Sequence, residues 1–289
     1  MPTSRLPSTP SSSVPTRSSP TDSDRSHALG RADRRPPERP NEGREVKIRA
    51  IAHRGYSAKY PENTLTALRA AVDLNYSHVE FDVQLSKDGV PVLMHDYNVD
   101  RITDASGAVR DYTLAELKSF EIAGGERIAT LEEALDVVKG RITPMVELKQ
   151  AGDLYPGLEE KSLDLIRQSG VGEDCIIISF DHFSIQRLRT LDADIPLGLT
   201  SSCAMPYVFD FMAEMRCELL GVPVKMLTAQ YDRMITERGY IVGPWVVDSL
   251  ADMQLIAEKY PHTLITTNEL ERWADFYLAH PELHQDTAK

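Results

Sequence analysis

The stretch ITPMVELK, residues 142–149, decides how the rest of the sequence is interpreted. It is a short apolar run ending in Glu147 and Lys149, with the length and composition of a buried strand. At residues 158–169 the chain continues with LEEKSLDLIRQS, whose residues Leu158, Leu163 and Ile166 recur at the spacing of one buried helix face. A strand followed by an amphipathic helix is the repeating unit of a parallel sheet.

The same unit recurs along the chain from about residue 47. We predict strands at 47–53, 78–83, 142–148, 175–180, 196–200, 217–222, 240–247 and 263–266, with helices at 64–75, 131–139, 158–169, 183–191, 207–215, 229–238, 250–259 and 269–279. Eight such units fit a (β/α)8 TIM barrel, which needs about 250 residues. The alternative is a doubly wound open sheet, but no Gly-rich phosphate loop follows the first strand.

The connection between the second strand and the second helix is longer than the others. It contains the turn Lys87-Asp88-Gly89, an apolar run at 91–94 and a predicted helical turn at 114–120. We therefore predict a short insertion at this place. Long loops at the carboxyl ends of barrel strands usually carry functional residues.

The first 46 residues differ from the rest in composition. They contain eight prolines, nine serines and few large apolar residues, so they cannot bury a core. We predict a disordered Ser/Pro/Arg-rich tail at 1–46, a barrel at 47–280 and a flexible C-terminal end at 281–289. The tail has no apolar h-region, which favours a cytoplasmic protein, although its Ser and Arg content leaves a targeting role open.

Charge and cysteine content exclude several classes of protein. The net charge of −12 argues against a nucleic-acid partner. Cys175, Cys203 and Cys217 are odd in number and lack paired spacing, which argues against a disulfide framework or a cysteine zinc site. The sequence contains no apolar run of about 18 residues, so we predict no transmembrane segment. It leaves the oligomeric state open.

Acidic residues are concentrated at the carboxyl ends of the predicted second and third strands. Glu80 and Asp82 are two residues apart and therefore point to the same side, and Glu147 ends the next strand. Three carboxylates at one end of a barrel repel one another unless a cation lies among them. Oxygen ligands suit Mg²⁺ or Ca²⁺, so we predict a divalent metal site. The alternative is that each carboxylate is solvated or paired with Lys or Arg.

Two histidines are candidates for proton transfer. His53 ends the first strand, and the Lys87-Asp88-Gly89 turn would bring His95 back to about the level of Asp82. Imidazoles titrate near neutral pH, so two of them beside a metal could act as acid and base. Either histidine alone would more often be a buried structural residue.

Six short motifs follow one another along the chain. They are His53-Arg54-Gly55, Pro61-Glu62-Asn63-Thr64, Glu80-Phe81-Asp82-Val83, Lys87-Asp88-Gly89, His95-Asp96 and Glu147-Leu148-Lys149. Together they resemble the glycerophosphodiester phosphodiesterase family over about residues 50–270. The resemblance implies a metal-dependent TIM-barrel hydrolase of lipid and glycerol metabolism, which converts small-molecule glycerophosphodiesters to sn-glycerol 3-phosphate and an alcohol.

The resemblance also implies roles for the motif residues. Glu80, Asp82 and Glu147 would hold the metal, His53 and His95 would be acid and base, Arg54 and Lys149 would bind phosphate oxygens, Glu62 would orient the site and Asn63 would cap the first helix.

The chain departs from the family near its C-terminus. Members usually show Trp-Thr-Val-Asn and Thr-Asp-x-Pro where this chain has Trp245-Val246-Val247-Asp248 and Thr266-Thr267-Asn268. These positions shape the wall that faces the substrate, so substrate preference is the property most affected. Trp245 either contacts the glycerol or head group or packs as a core residue.

Two other functions are compatible with the sequence. A lysophospholipase D-type or sphingomyelinase D-like lipid hydrolase needs an apolar lane beside the site, which Phe209 and Phe211 would supply unless their helix packs on the barrel. An inactive barrel that serves as a binding module would lack a histidine or a carboxylate of the site, and none is missing. The attacking group, either the glycerol hydroxyl of the substrate or water, also remains open.

Overall fold

The computed structural model describes residues 46–284. Its strands are β1 (Ile48–Ala52), β2 (Tyr76–Leu85), β3 (Pro91–Leu93), β4 (Thr143–Leu148), β5 (Ile176–Ser179), β6 (Leu197–Thr200), β7 (Cys217–Pro223), β8 (Ile241–Trp245) and β9 (Thr266–Thr267). Its α-helices are α1 (Leu65–Asp73), α2 (Leu114–Ser119), α3 (Leu131–Val138), α4 (Leu158–Ser169), α5 (His182–Leu191), α6 (Val208–Glu214), α7 (Ala229–Thr236), α8 (Leu250–Lys259) and α9 (Leu270–Ala279). The predicted tail at 1–46 lies outside the described residues except for Val46.

Eight of these strands form a parallel barrel. Their order is β8-β7-β6-β5-β4-β2-β1-β9, and β3 pairs with β2 from outside this path. The two ends of the sheet are joined by backbone hydrogen bonds from Leu264 N to Val242 O (2.9 Å) and from Val247 N to Thr266 O (2.8 Å). The predicted (β/α)8 barrel is confirmed, and the doubly wound open sheet is wrong.

All eight predicted strands differ from the observed bounds by one to three residues at one or both ends, and two of these differences bear on the site. The second strand was predicted at 78–83, but β2 extends to Leu85 because β3 pairs with its end, Val83 opposite Leu93. The last strand was predicted at 263–266, whereas β9 is only two residues long and ends one residue later. The shift matters because β9 pairs with β1, Thr267 opposite Ala52, and so lies beside the end of the strand that carries His53.

The sheet separates two apolar layers. The barrel interior is filled by Ile51, Met145, Ile176, Ile178, Leu219 and Leu264. The outer layer lies between strands and helices and includes Phe81 of β2, Leu68 of α1 and Leu135 of α3, all essentially inaccessible to solvent. Alternation along each strand therefore sends Phe81 outward and its neighbours Glu80 and Asp82 inward.

The insertion between β2 and α3 has a small core of its own. Buried residues from β3, α2 and the loops around them pack together there: Val92, Met94, Val99, Val109, Leu117, Ile122 and Ile128. The helix α2 begins with a capping box between Thr113 and Glu116. The predicted insertion is thus a packed unit, and the chain that follows β3 is held against the barrel mouth, the rim formed by the carboxyl ends of the barrel strands.

The helix α6 packs on the barrel. Phe209 is buried and its ring stacks on that of Tyr240 with centroids 6.3 Å apart, while Phe211 stacks on His182 at 5.8 Å. Neither aromatic ring therefore forms the apolar lane that a lipid hydrolase would need. Within residues 46–284 no helix combines the length and the apolar character required to cross a bilayer.

The chain after α9 is partly ordered. Residues Pro281–His284 form a 3-10 helix in which Leu283 is buried and the His284 Nε2 atom lies 2.8 Å from the Tyr277 carbonyl oxygen. These four residues have regular structure, whereas the sequence predicted a flexible end at 281–289. The buried side chain of Leu283 packs beside α9 and accounts for the difference. The remainder of that predicted segment lies outside the described residues.

Candidate active site

A cavity of about 220 Å³ opens at the barrel mouth. It is lined by Ile51, His53, Arg54, Glu80, His95, Met145, Glu147, Ile178, Phe180, Thr200, Leu219, Gly221, Gly243, Trp245, Val246 and Thr266. The predicted catalytic, metal-binding and substrate-binding residues thus meet in one place, with Asp82 and Lys149 in contact with residues of the lining. The mouth is also where the fold places active sites.

The two sides of this cavity differ in chemistry. Its charged residues come from the ends of β1, β2 and β4 and from the segment after β3, whereas β5 to β8 contribute aromatic, aliphatic and glycine residues and the hydroxyl of Thr200. A Cβ atom at Gly221 would lie 3.2 Å from the Thr200 side chain, and one at Gly243 would lie 3.4 Å from Leu219. The two glycines therefore allow neighbouring strands to pack closely in this part of the lining.

A tight turn after β1 places Arg54. Arg54 has φ of +55° and Gly55 has φ of +75°. A side chain at Gly55 would lie 2.5 Å from the backbone carbon of Ala67, so only glycine fits against α1. The turn directs the Arg54 backbone N–H to Glu80 Oε2, at 3.0 Å, and the guanidinium to Glu62 and Asp82, at 2.9 and 3.4 Å.

Glu80, Asp82 and Glu147 converge as predicted. One carboxylate oxygen from each lies within 4.8 Å of the other two, and all three residues are buried. Asp82 and Glu147 are register partners on the adjacent strands β2 and β4, which explains why their side chains meet. The three carboxylates therefore form an acidic cluster with a geometry that could hold one cation.

The electrostatics of this acidic cluster are unbalanced. Burial, together with Asp82 and Glu147, raises the pKa of Glu80 well above its ordinary value. Burial and Asp82 likewise raise the pKa of Glu147 to about 7. For Asp82, burial works against ionisation, but Lys149 and Arg54 outweigh it and hold the pKa below its usual range.

The nearby Lys and Arg side chains form ion pairs with only two of the three carboxylates. Lys149 Nζ lies 2.7 Å from Glu147 and 3.5 Å from Asp82, and Arg54 pairs with Asp82 and Glu62. Among residues 46–284, Glu80 has no Lys or Arg partner at ion-pair distance, and its buried Oε1 atom has no hydrogen-bond partner. An unpaired buried carboxylate oxygen facing two others fits a divalent cation with oxygen ligands.

Asn63 does not cap α1 as predicted. The N-cap is Thr64, whose hydroxyl accepts from Ala67 N. Asn63 is buried in the left-handed region with φ of +58°, donates from Nδ2 to Asp82 Oδ2 (2.9 Å) and accepts at Oδ1 from Asp82 N (3.1 Å). Asparagine tolerates this backbone conformation better than most residues, so its function here is to hold Asp82.

His53 is held in place by Asn268, the residue that follows β9. Its Nδ1 atom lies 2.8 Å from Asn268 Oδ1, and its Nε2 atom is 4.0 Å from Glu80 Oε2. Burial, with Arg54 nearby, lowers the pKa of His53 to about 4. In the metal-free protein this imidazole is therefore neutral at neutral pH.

His95 lies in the insertion and is held in place by Gln84 of β2. The Gln84 side-chain amide donates to the carbonyl oxygens of Met94 (2.7 Å) and Asp96 (2.8 Å), which fixes the segment that carries the imidazole. His95 Nδ1 lies 2.7 Å from Asp96 Oδ1. The predicted return of this segment beside β2 is confirmed, because Met94 N donates to Asp82 O at 3.1 Å.

Arg101 of the insertion links the segment after β3 to the loop between β1 and α1. Its Nε atom donates to Asp96 Oδ2 (2.6 Å), and its two terminal nitrogens donate to the two carboxylate oxygens of Glu62 (2.6 and 3.0 Å). Glu62 in turn accepts from Arg54. The hydrogen bond from Arg101 is the main reason that the pKa of Asp96 falls to about 2.

Trp245 lies in the aromatic part of the cavity wall. Its ring meets that of Phe180 edge to face with centroids 5.8 Å apart, and both residues line the cavity. Phe180 is 42% exposed, and Lys149 Nζ lies 5.8 Å from its ring centroid. Trp245 is therefore a wall residue of the cavity.

Four residues that hold this site were not identified from the sequence. They are Gln84, Arg101, Asp248 and Asn268. Asp248 and Asn268 carried a usable signal, because polar residues just beyond two barrel strands lie at the mouth. Gln84 and Arg101 carried none, because their partners depend on the path of the insertion.

Comparison with known proteins gives this arrangement a family. The glycerophosphoryl diester phosphodiesterase family matches residues 53–273. A glycerophosphodiester phosphodiesterase of Caldanaerobacter subterraneus is 32% identical over 229 residues, which cover 76% of this chain and 94% of that protein. One of Bacillus subtilis is 29% identical over 237 residues, covering 73% of this chain and 80% of its own length.

Solved structures agree with the sequence comparison. A phosphodiesterase of Oleispira antarctica, solved in complex with the product sn-glycerol-3-phosphate, has a TM-score of 0.74 and 26% identity, over 79% of this chain and 96% of that chain. The family resemblance carried by the six motifs is confirmed. The chain belongs to the glycerophosphoryl diester phosphodiesterase family and is a phosphodiesterase.

Proposed function

We propose that the chain hydrolyses glycerophosphodiesters to sn-glycerol 3-phosphate and an alcohol, with a divalent cation bound by Glu80, Asp82 and Glu147. One observation carries the proposal. Two imidazoles from different parts of the chain face the same cavity as three converging carboxylates. A protein that only binds a ligand does not require two imidazoles beside three carboxylates. Hydrolysis of a phosphodiester requires both, because it needs charge neutralisation and proton transfer.

The acidic cluster is the proposed metal site. When bound, Mg²⁺ or Ca²⁺ would supply positive charge against which the phosphoryl oxygens can develop negative charge. The unpaired Oε1 atom of Glu80 supports this assignment, because nothing else among the described residues compensates it.

Arg54 and Lys149 are the proposed phosphate-binding residues. Both cations border the acidic cluster, and both already contact carboxylates there. In the complex they would exchange part of this pairing for the phosphate oxygens. Glu62 keeps Arg54 in place through its own hydrogen bond at 2.9 Å.

Proton transfer falls to the two histidines. His53 is neutral at neutral pH, so we assign it as the base that accepts a proton from the attacking hydroxyl. His95, whose Nδ1 faces a carboxylate, is assigned as the acid that protonates the leaving alkoxide. The attacking hydroxyl belongs either to the glycerol of the substrate or to water, and a substrate with that glycerol hydroxyl methylated separates the two routes.

The aromatic wall is the proposed place for the uncharged part of the substrate. Trp245 and Phe180 form one wall of the same cavity, with Lys149 Nζ 5.8 Å from the Phe180 ring centroid, so a phosphate held by Arg54 and Lys149 would place one of its ester groups against this wall. We propose that Trp245 contacts the glycerol or the head group.

The alternative function, a lipid hydrolase, would need an apolar surface beside the site. Phe209 and Phe211 do not supply this surface, because their rings pack on Tyr240 and His182.

Replacement of either histidine tests the acid–base assignment. His53→Ala and His95→Ala should fold normally and lower kcat/KM for glycerophosphocholine by about 10²–10⁴-fold, measured as release of sn-glycerol 3-phosphate. With a p-nitrophenyl ester, whose leaving group needs no proton, His95→Ala should recover most of its activity and His53→Ala should not. Equal recovery of both variants would contradict the assignment, and wild-type turnover by either would contradict the function.

The pH dependence of metal binding tests the acidic cluster. Glu147, with a pKa of about 7, must lose its proton before it can bind a cation, so binding should strengthen as the pH rises through 7. The Glu147 proton alone gives about a tenfold gain in Mg²⁺ or Ca²⁺ affinity between about pH 6 and about pH 8, measurable by titration calorimetry, and loss of a proton from Glu80, whose pKa is also raised, adds to this gain. Glu80→Gln should abolish binding. A constant affinity across this range would contradict the site.

Replacement of Arg101 tests the contribution of the insertion. Arg101→Ala should lower kcat by about 10- to 100-fold, because Asp96 and Glu62 would no longer hold His95 and Arg54 in place. Arg101→Lys should recover only part of this loss, since a single ammonium cannot reproduce the fork of hydrogen bonds. Arg110→Ala removes an exposed arginine of the same insertion and is the matched control. A loss of kcat as large in the control would show that the effect is not specific.

A further inference from the structure

Asp248, in the loop after β8, is joined to His53 through one intermediate residue. Its Oδ1 atom accepts from Asn268 N (2.8 Å) and from the Thr267 hydroxyl (3.0 Å), and its Oδ2 atom accepts from Asn268 Nδ2 (2.7 Å). Asn268 Oδ1 then faces His53 Nδ1 at 2.8 Å. The chain of contacts runs from the end of β8, through the end of β9, to the end of β1.

This order of groups leaves one choice for the Asn268 amide. An ionised carboxylate can only accept hydrogen bonds, so the side-chain group of Asn268 that lies 2.7 Å from Asp248 Oδ2 must be its NH₂ group. Its carbonyl oxygen must then face His53. The Ser57 hydroxyl lies 2.7 Å from this oxygen and 2.8 Å from the His53 carbonyl oxygen, so its single hydrogen is shared between two acceptors and the orientation is set by Asp248.

The orientation of Asn268 in turn sets the tautomer of His53. An amide oxygen only accepts, so the imidazole must carry its proton on Nδ1. The lone pair of the neutral ring is then on Nε2, the nitrogen that points to Glu80 Oε2 and the cavity. With the opposite tautomer, Nε2 would carry a hydrogen and could not accept a proton.

We infer that Asp248 is a positioning residue that fixes, through the orientation of Asn268, the Nδ1–H tautomer of His53 and so leaves Nε2 free to act as the base. The inference rests on the proposed role of His53. Asp248 does not contact the substrate in this proposal. The residues just after β8 and β9 act only by positioning His53. Thr267 contributes by holding Asp248 Oδ1, at 3.0 Å, without touching the imidazole itself.

The substitution Asp248→Asn reverses the donor and acceptor roles along the hydrogen-bonded chain from position 248 through Asn268 to His53, and it leaves the shape of the side chain almost unchanged. In the variant, the side-chain oxygen of Asn at position 248 still accepts from the Asn268 backbone N–H and the Thr267 hydroxyl. Its NH₂ group therefore takes the place of Oδ2 and faces the Asn268 side chain. Asn268 then turns its oxygen toward position 248 and its NH₂ group toward His53, which forces the proton onto Nε2. The variant should therefore invert the tautomer of His53 and lower kcat by at least about tenfold, with KM changed less than about twofold.

A second substitution restores the order. In Asp248→Asn/Asn268→Asp, the amide at position 248 donates to the carboxylate at 268, and that carboxylate accepts from His53 Nδ1–H. The double variant should recover the original tautomer and a large part of kcat. Asp275→Asn changes one exposed aspartate on α9 to asparagine and serves as the charge control.

The experiment combines ¹⁵N NMR of histidine-labelled, metal-free protein with steady-state kinetics on glycerophosphocholine, and His53→Gln identifies the His53 signals. The inference is supported if Nδ1 is protonated in the wild type, Nε2 is protonated in Asp248→Asn and the double variant reverts. It is overturned if wild-type His53 carries its proton on Nε2, or if Asp248→Asn keeps both tautomer and kcat.

The two readouts separate this inference from the proposed function. A wild-type protein that shows the Nδ1–H tautomer but does not turn over glycerophosphodiesters would contradict the function and leave the positioning by Asp248 intact. If Asp248→Asn fails to fold, the wild-type spectrum still decides, because an Nε2–H tautomer there overturns the inference and an Nδ1–H tautomer supports it.

Discussion

Repulsion among Glu80, Asp82 and Glu147 is the constraint on which the rest of the site depends. Three buried acids that approach one another within 4.8 Å cannot all be ionised without compensation. Arg54 and Lys149 compensate Asp82 and Glu147, but Glu80 has only the Arg54 backbone N–H and a neutral imidazole. The divalent cation proposed above would relieve this imbalance, and its ligands would come from the two adjacent strands β2 and β4.

The surrounding residues hold the reactive groups in place. Asn63 holds Asp82, Gln84 holds the segment of His95, and Arg101 links Asp96 to Glu62. His53 and His95 each have Nδ1 bound to an oxygen acceptor, which leaves Nε2 of each ring as the nitrogen available for chemistry. Such support is needed because acid–base catalysis depends on the geometry as well as on the pKa of the groups.

The sequence predicted the parts of this arrangement that follow from local periodicity. Alternation along a strand put Glu80 and Asp82 on one side, and parallel strands placed Glu147 beside them. It did not predict Asp248 and Asn268 as partners of His53, because the ends of β8, β9 and β1 meet only when the barrel closes. Asn63 was wrongly predicted as a helix cap, since its left-handed backbone and its bond to Asp82 depend on a turn that local sequence does not specify.

The most direct test of the central claim is a crystal structure of the protein soaked in Mn²⁺, with anomalous difference density used to locate the ion. The account predicts a single strong peak in contact with Glu80, Asp82 and Glu147, with Glu80 Oε1 among the ligands. Absence of a peak there, with the carboxylates satisfied by Arg54 and Lys149 alone, would contradict it.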